Sequence, residues 1–409
     1  MRYRCQKYNS RTLKALFCCI FALISFSLFS LSAFKTETYA DETVTLNVYN
    51  WGQYISDGTD GYIDVIAEFE KKYPNIKVNY LTYDSNETLY TKLKTGGASY
   101  DVIIPSDYMI EKLIREDMLL ELDLDNIPNY SLIDDSFKNM EYDPEGKYSV
   151  PYTWGYVGII YNSDYVNEED ATGWELLWNT TYAGKILMFD NCRDSFAITE
   201  AMLGYSVNTE DEEELNAVTE KLKEQKNLVQ SYVMDQIFGA MERSEAWIAP
   251  YYAGDYLMMA EENESLKFIA PEGYNLFVDA ACIPSCAEHQ YEAELFINFL
   301  CEPEISGPNL EYLGYSTPIS AAKEYMDPDA ASNEIAYPDD VQLSKGQSFT
   351  ALSTEGNQLM NELWLSVKTN DTRLTIYIWL TLGAVVSLTL LAIILKIRKK
   401  IRISRRCTH

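Results

Sequence analysis

VTLNVYNW (44–51), IKVNYLTY (76–83) and DVII (101–104) are three short runs with a strand's composition, separated by two helical patterns. The first alternates apolar and polar residues in the manner of a half-buried strand. Tyr62, Ile66, Phe69 and Tyr73 follow at spacings of four, three and four, one face of an amphipathic helix that Pro74 ends. Between the second and third runs, Asn86–Thr95 reads as a helix with Leu89 and Leu93 aligned, and Pro105 stops DVII. Strand, helix, strand, helix, strand in this order implies a parallel sheet covered by helices.

The alternation resumes farther along with different content. Lys185–Phe189, Glu245–Ala249, Leu266–Ala270 and Phe277–Pro284 read as strands; Ser195–Leu203, Glu212–Lys223 and Tyr291–Leu300 read as helices. Two α/β lobes account for this length economically. Residues 366–373 read as a polar tether.

Charge divides the chain in another way. Of 409 residues, 62 are acidic and 33 basic, and residues 41–372 hold 61 of the acids against 19 basic side chains. No basic stripe exists to neutralise phosphates, so a nucleic-acid partner is excluded. The ends are basic and apolar: Ala15–Phe34 and Leu374–Leu395 carry no charge, and Arg or Lys flank both. The first stretch, within residues 1–40, is read as a signal peptide with Thr38-Tyr39-Ala40 as its cleavage site, or as an N-terminal anchor. The second is long enough for a C-terminal transmembrane helix, residues 374–395, with residues 396–409 as a basic cytoplasmic tail. Both basic ends would lie on the cytoplasmic side of a membrane and the acidic middle outside it.

The chain has two His and eight Cys, and no spacing suggests a zinc site. Cys192, Cys282, Cys286 and Cys301 read as buried apolar residues, with a disulfide among the last three as the alternative. No metal, cofactor or catalytic residue is expected.

In open parallel sheets, ligands sit beyond the carboxyl ends of the strands. Those ends here are Asn50-Trp51-Gly52-Gln53-Tyr54, Asp84-Ser85-Asn86, Pro105-Ser106-Asp107-Tyr108, Asp190-Asn191-Cys192-Arg193-Asp194 and Pro250-Tyr251-Tyr252-Ala253-Gly254-Asp255. Phe277 and Asp279, two residues apart, share one face of their strand. Rings beside carboxylates suit organic ammonium ions: each ring face attracts a cation by roughly 0.5–2 kcal/mol, and a charge-assisted hydrogen bond adds roughly 1.5–3 kcal/mol. Against this, 32 Tyr make ring–acid neighbours common by chance, and Asp194 taken alone reads as a solvated helix N-cap.

Several of these segments, in this order, carry a family resemblance. Tyr49-Asn50-Trp51, Tyr83-Asp84-Ser85-Asn86-Glu87-Thr88, Tyr100-Asp101-Val102 and Pro105-Ser106 are joined by Ser149-Val150-Pro151-Tyr152-Thr153-Trp154-Gly155, Trp174-Glu175-Leu176-Leu177-Trp178 and Leu313-Gly314-Tyr315-Ser316-Thr317-Pro318. Over residues 44–365 the chain resembles the spermidine/putrescine-binding proteins of bacterial polyamine ABC importers. The resemblance implies a type II-like two-lobed periplasmic-binding-protein fold with hinge crossovers, residues 44–151 and 279–325 forming one lobe and 152–278 and 326–365 the other. It further implies a non-enzymatic receptor that passes putrescine or spermidine to ABC permease subunits with a separate ATPase. Carried over by motif, the ligand residues are Trp51, Tyr54, Ser106, Tyr108, Asp194, Tyr251, Phe277, Asp279 and Tyr315. The last family position falls at Gln347 or Phe349. Gly52-Gln53 and Asn191 depart from the family by removing acids, which leaves open another small cationic or amino compound as ligand. A polyamine sensor and a carboxylate-based surface glycosidase are the remaining alternatives.

Overall fold

The computed structural model describes residues 43–96, 99–369, 381–390 and 396. The chain divides into residues 1–44, of which only 43 and 44 are described, and residues 45–409. The expected signal peptide or anchor at 1–40 lies outside the described residues.

Local signals act where the sequence places them. β1 (Val44–Trp51), β2 (Ile76–Tyr83) and a helix over Asn86–Thr95 have the expected limits. The intervening helix, α1 (Val65–Lys72), starts where the Asp64 side chain accepts the Ala67 N–H at 2.9 Å. It presses Phe69 onto Phe296, edge to face, with ring centres 4.9 Å apart. Asn86–Thr95 is α2, capped by Ser85. β3 (Val102–Ile103) is parallel to β1 and leads into α3 (Asp107–Arg115).

β4 (Ser149–Asn162) follows: fourteen residues, every one buried. After it come β5 (Ile186–Phe189), α4 (Cys192–Leu203), α5 (Glu212–Gln225), β6 (Val229–Val233), α6 (Ile237–Glu242), β7 (Ile248–Tyr252), α7 (Ala253–Glu262), β8 (Leu266–Ile269) and β9 (Leu276–Cys282). The last long elements are α8 (Gln290–Leu300), α9 (Pro303–Leu313) and α10 (Thr354–Thr369). Val367 is fully buried in α10, so residues 366–369 continue a helix rather than begin a tether.

The strands run in the order β2-β1-β3-β9-β4-β7-β5-β6, with β8 also on β4. β4 is common to both lobes. Its first half, to Tyr156, pairs antiparallel with β9, and its second half, from Val157, pairs with β7 and β8. The β4–β9 register shifts beside Pro151, which has no N–H to give the ladder. One apolar core gathers Leu46, Val48, Phe69 and Phe296 around β1 and β9; another gathers Ile159, Ile160, Phe189 and Phe196 around β5 and β7. The architecture is two-lobed α/β. Cys192, Cys282, Cys286 and Cys301 are all free, and Cys286 is exposed rather than buried.

The expected C-terminal transmembrane helix at 374–395 is corrected. Among the described residues no helix is long and apolar enough to cross a membrane. Residues 381–390 are helical, and ten helical residues rise about 15 Å, half of a bilayer core of about 30 Å. That expectation rested on the length of an uncharged run and on the basic residues that follow it. The remainder of the run, and the expected tail beyond Lys396, lie outside the described residues.

Candidate functional site

β1 ends at the cleft in a turn shaped by a buried amide. Asn50 accepts the Trp51 N–H at 2.8 Å and donates to the Tyr54 carbonyl at 3.3 Å. Gln53 takes a left-handed φ of 47° between them. The Trp51 indole N–H donates to the Ile104 carbonyl at 2.9 Å, which also receives the Tyr83 hydroxyl at 2.6 Å. This fixes the Trp51 ring against that of Tyr83, 4.8 Å away. Tyr54 points to β9 and donates to Asp279 Oδ2 at 2.6 Å. Beside it, Asn86 donates to Ser106 Oγ and to the Tyr108 hydroxyl, both at 3.1 Å.

The second lobe faces this wall. Asn191 caps α4 and donates to Asp194 Oδ2 at 2.5 Å; the Tyr252 hydroxyl donates to the same oxygen at 3.1 Å. Asp194 is 5% exposed, so it is buried in the first turn of α4 rather than a solvated cap. At the end of β7, the Tyr251 hydroxyl lies 3.5 Å from Asp235 Oδ1. Tyr315 donates across the cleft to Asp255 Oδ2 at 3.0 Å. Gly254 makes room for that ring, since a Cβ there would lie 2.6 Å from it.

Six rings form a continuous band: Trp51 to Tyr54 (6.4 Å between centres), Tyr54 to Tyr315 (5.4 Å), Tyr315 to Phe277 (6.4 Å), Phe277 to Tyr252 (5.5 Å) and Tyr252 to Tyr251 (4.9 Å). The cleft they border encloses about 840 Å³, counting the part open to solvent. All nine residues singled out from the sequence line it. So do six aspartates, Asp84, Asp107, Asp194, Asp235, Asp255 and Asp279, and no Lys or Arg is among the lining residues.

Burial is the main cause of their shifted acidity. It pushes Asp194 and Asp279 up to about 6, Asp255 to about 7 and Asp107 to about 8. Hydrogen bonds from Tyr252, Tyr54 and Tyr315 pull the first three partly back. Asp194 and Asp279 each keep one oxygen, Oδ1, buried without a protein partner. A buried carboxylate oxygen in that state is a strong acceptor for a positively charged donor. Among the described residues no group of His, Cys, Asp and Glu is placed to hold a metal ion.

Residues 64–339 match the family model described as bacterial extracellular solute-binding protein. The chain belongs to that family. Its members are solute-binding proteins of transporters, not enzymes. This binding protein is 33% identical to the spermidine/putrescine-binding periplasmic protein of Salmonella typhimurium over 320 residues, 78% of this chain and 90% of the other. Among solved structures, the putative spermidine/putrescine ABC transporter protein of Listeria monocytogenes is 35% identical with a TM-score of 0.76, covering 80% of this chain and 99% of that one. The spermidine/putrescine substrate-binding protein of Streptococcus pneumoniae is 35% identical with a TM-score of 0.67, covering 80% and 98%.

Sequence reasoning left several lining residues of this binding protein unselected. Tyr252 and Asp107 stand in strand ends it quoted, next to residues it chose, and Asp255 closes one of those ends, four residues after Tyr251. Asp235, Met234 and Phe238 follow β6, a strand whose polar VQSYV sequence gave no alternation to notice. Phe349 lines the cleft, whereas Gln347 is absent from the lining and pairs by its main chain with Tyr274 and Leu276.

Proposed function

We propose that this chain is the substrate-binding component of an ABC importer and that its ligand is a linear polyamine of the putrescine/spermidine class. The observation that carries this reading is the composition of the cleft: six aspartates, no basic residue, and an unbroken band of six rings. The Trp51, Tyr252, Phe277 and Tyr315 rings would flank the methylene chain. Oδ1 of Asp194 and of Asp279 would accept from the ammonium groups, with Tyr54 and Tyr252 orienting the two carboxylates. Ser106, Tyr108 and Tyr251 would complete the wall. Several such contacts, less the cost of association, are consistent with micromolar affinity, about −8 kcal/mol. Delivery to permease subunits, with ATP hydrolysed by a separate subunit, follows from the likeness to ABC-transporter relatives.

Calorimetry with putrescine, spermidine and spermine tests the ligand class, with arginine, ornithine and choline as comparison cations. Micromolar heats confined to the polyamines are expected. Absence of both heat and thermal shift at millimolar polyamine overturns the reading.

A further inference from the structure

Residues 348–353 are seated on the second lobe and bonded to the first as well. On the second-lobe side, the Asn208 side chain accepts the Thr350 N–H and donates to the Ser348 carbonyl, both at 2.9 Å. Arg193, one residue before Asp194 in α4, donates through Nη2 to Asn208 Oδ1 at 2.6 Å and to the Thr350 carbonyl at 3.2 Å. Its guanidinium lies over the Phe349 ring, 4.4 Å from the ring centre. Arg193 is buried, and its Nε and Nη1 have no hydrogen-bond partner. The ring face and the two acceptors thus hold a charge that burial makes costly. On the first-lobe side, the Ala351 N–H donates to Glu111 Oε2 at 2.6 Å, and the Ala351 carbonyl accepts from Arg115 Nη2 at 3.5 Å. Both side chains belong to α3 and pair with each other at 2.6 Å. Tyr108, also in α3, meets the Phe349 ring edge to face at 5.8 Å between centres. Of this segment only Phe349 lines the cleft, and none of Glu111, Arg115, Arg193 and Asn208 is among the lining residues.

We propose that residues 348–353 are a clasp that holds the lobes closed, with Arg193 as its positioning residue on the second lobe and Glu111 as its catch on the first. Opening the cleft carries α3 away from the segment and breaks the Glu111 bond and the Phe349–Tyr108 contact. The clasp therefore governs how long a ligand stays, through closure rather than through contact with it. It acts on whichever solute the cleft holds, so it does not depend on the polyamine reading. Arginine suits position 193 because a planar guanidinium shows its face to Phe349 while its edge donates twice; a lysine ammonium cannot do both.

Stopped-flow association and release of spermidine, with urea unfolding of the ligand-free full chain, test this on Glu111→Ala, Arg193→Met and the double variant. Release is expected to quicken about fivefold in Glu111→Ala, with association within about twofold of wild type. Arg193→Met should quicken release at least as much. In the double variant the two effects should be less than additive, because either change alone unfastens the clasp. Without ligand, the two substitutions should be coupled in the same sense in urea stability, although they lie on different lobes. Unchanged release in Glu111→Ala overturns the clasp, and so do effects of the two substitutions that simply add. Arg193→Lys takes the place of Arg193→Met in the cycle if the latter does not fold; Glu111 is part-exposed, and its variant keeps the release test in force. Wild-type protein that binds no spermidine overturns the polyamine reading alone, and the urea cycle then decides the clasp.

Discussion

The two walls of the cleft each present three aspartates, yet they hold them differently. On the first lobe, Asp279 sits mid-strand in β9, clamped by Tyr54 of the same lobe. Asp107 opens α3, its two oxygens taking the Tyr108 N–H at 2.7 Å and the Val278 N–H at 3.4 Å. On the second lobe, Asp194 and Asp255 lie in the first turns of α4 and α7, where the helix dipole favours negative charge. Asp255 takes its tyrosine from the opposite lobe. Asp279 is therefore oriented from within its own lobe, as Asp194 is by Asn191 and Tyr252, whereas Asp255 is bonded across the cleft. That contrast ranks the experiments that would break it.

Acid disables both walls together, so it should have the largest effect. With Asp194 and Asp279 titrating at about 6, both are mostly protonated at pH 5. Polyamine affinity should fall about 100-fold between pH 7.5 and pH 5, the product of two separate protonations. Stability of the ligand-free protein runs the other way. Folding raises both values above the ordinary aspartate value of about 4, so between there and about 6 the folded chain holds protons the unfolded chain has released. These groups' contribution is then full at low pH and lost as pH rises through that window. Melting curves from pH 4 to pH 8, with and without spermidine, would show the two trends cross; parallel curves would contradict this electrostatic picture.

Asp279→Asn comes next, with an expected loss of tens of fold in affinity and little change in melting temperature, since Asn keeps the shape while removing the charge. Asp194→Asn should cost about tenfold. The α4 terminus and Asn191 already satisfy part of that carboxylate, so less depends on an incoming ammonium. Equal losses in the two variants would show that the walls are equivalent after all. Tyr315→Phe deletes the bond to Asp255 between the lobes and leaves the ring; about threefold weaker binding is expected, seen chiefly as faster ligand release in stopped-flow measurements. An unaltered release rate would remove that bond from the account of closure.

Reading the sequence succeeded where local chemistry is self-sufficient. β1, β2 and α2 keep their expected limits because alternation and the Ser85 cap act within a few residues. β4 escaped notice for the opposite reason. A strand buried on both faces shows no alternation, and all fourteen of its residues are buried. β7 was expected at Glu245–Ala249 and lies at Ile248–Tyr252, because its pairing with β4 sets its limits. In the cleft, the strand-end rule and the motif resemblance located residues on every lining strand end but that of β6. They could not show that Asp194 is buried, that Tyr252 bonds it, or that Asp235 crosses to Gly52, since each depends on chain segments tens to hundreds of residues apart.

The lacing of β4 through both lobes has a consequence for how the polypeptide is made. The first-lobe sheet is complete only when β9, ending at Cys282, has taken its place between β3 and β4. A ribosome delivering the chain from its N-terminus must therefore have synthesised about two-thirds of it before either lobe can seal. Neither lobe can be excised without leaving half of β4 as a bare edge, so unfolding should proceed as one cooperative event across the hinge.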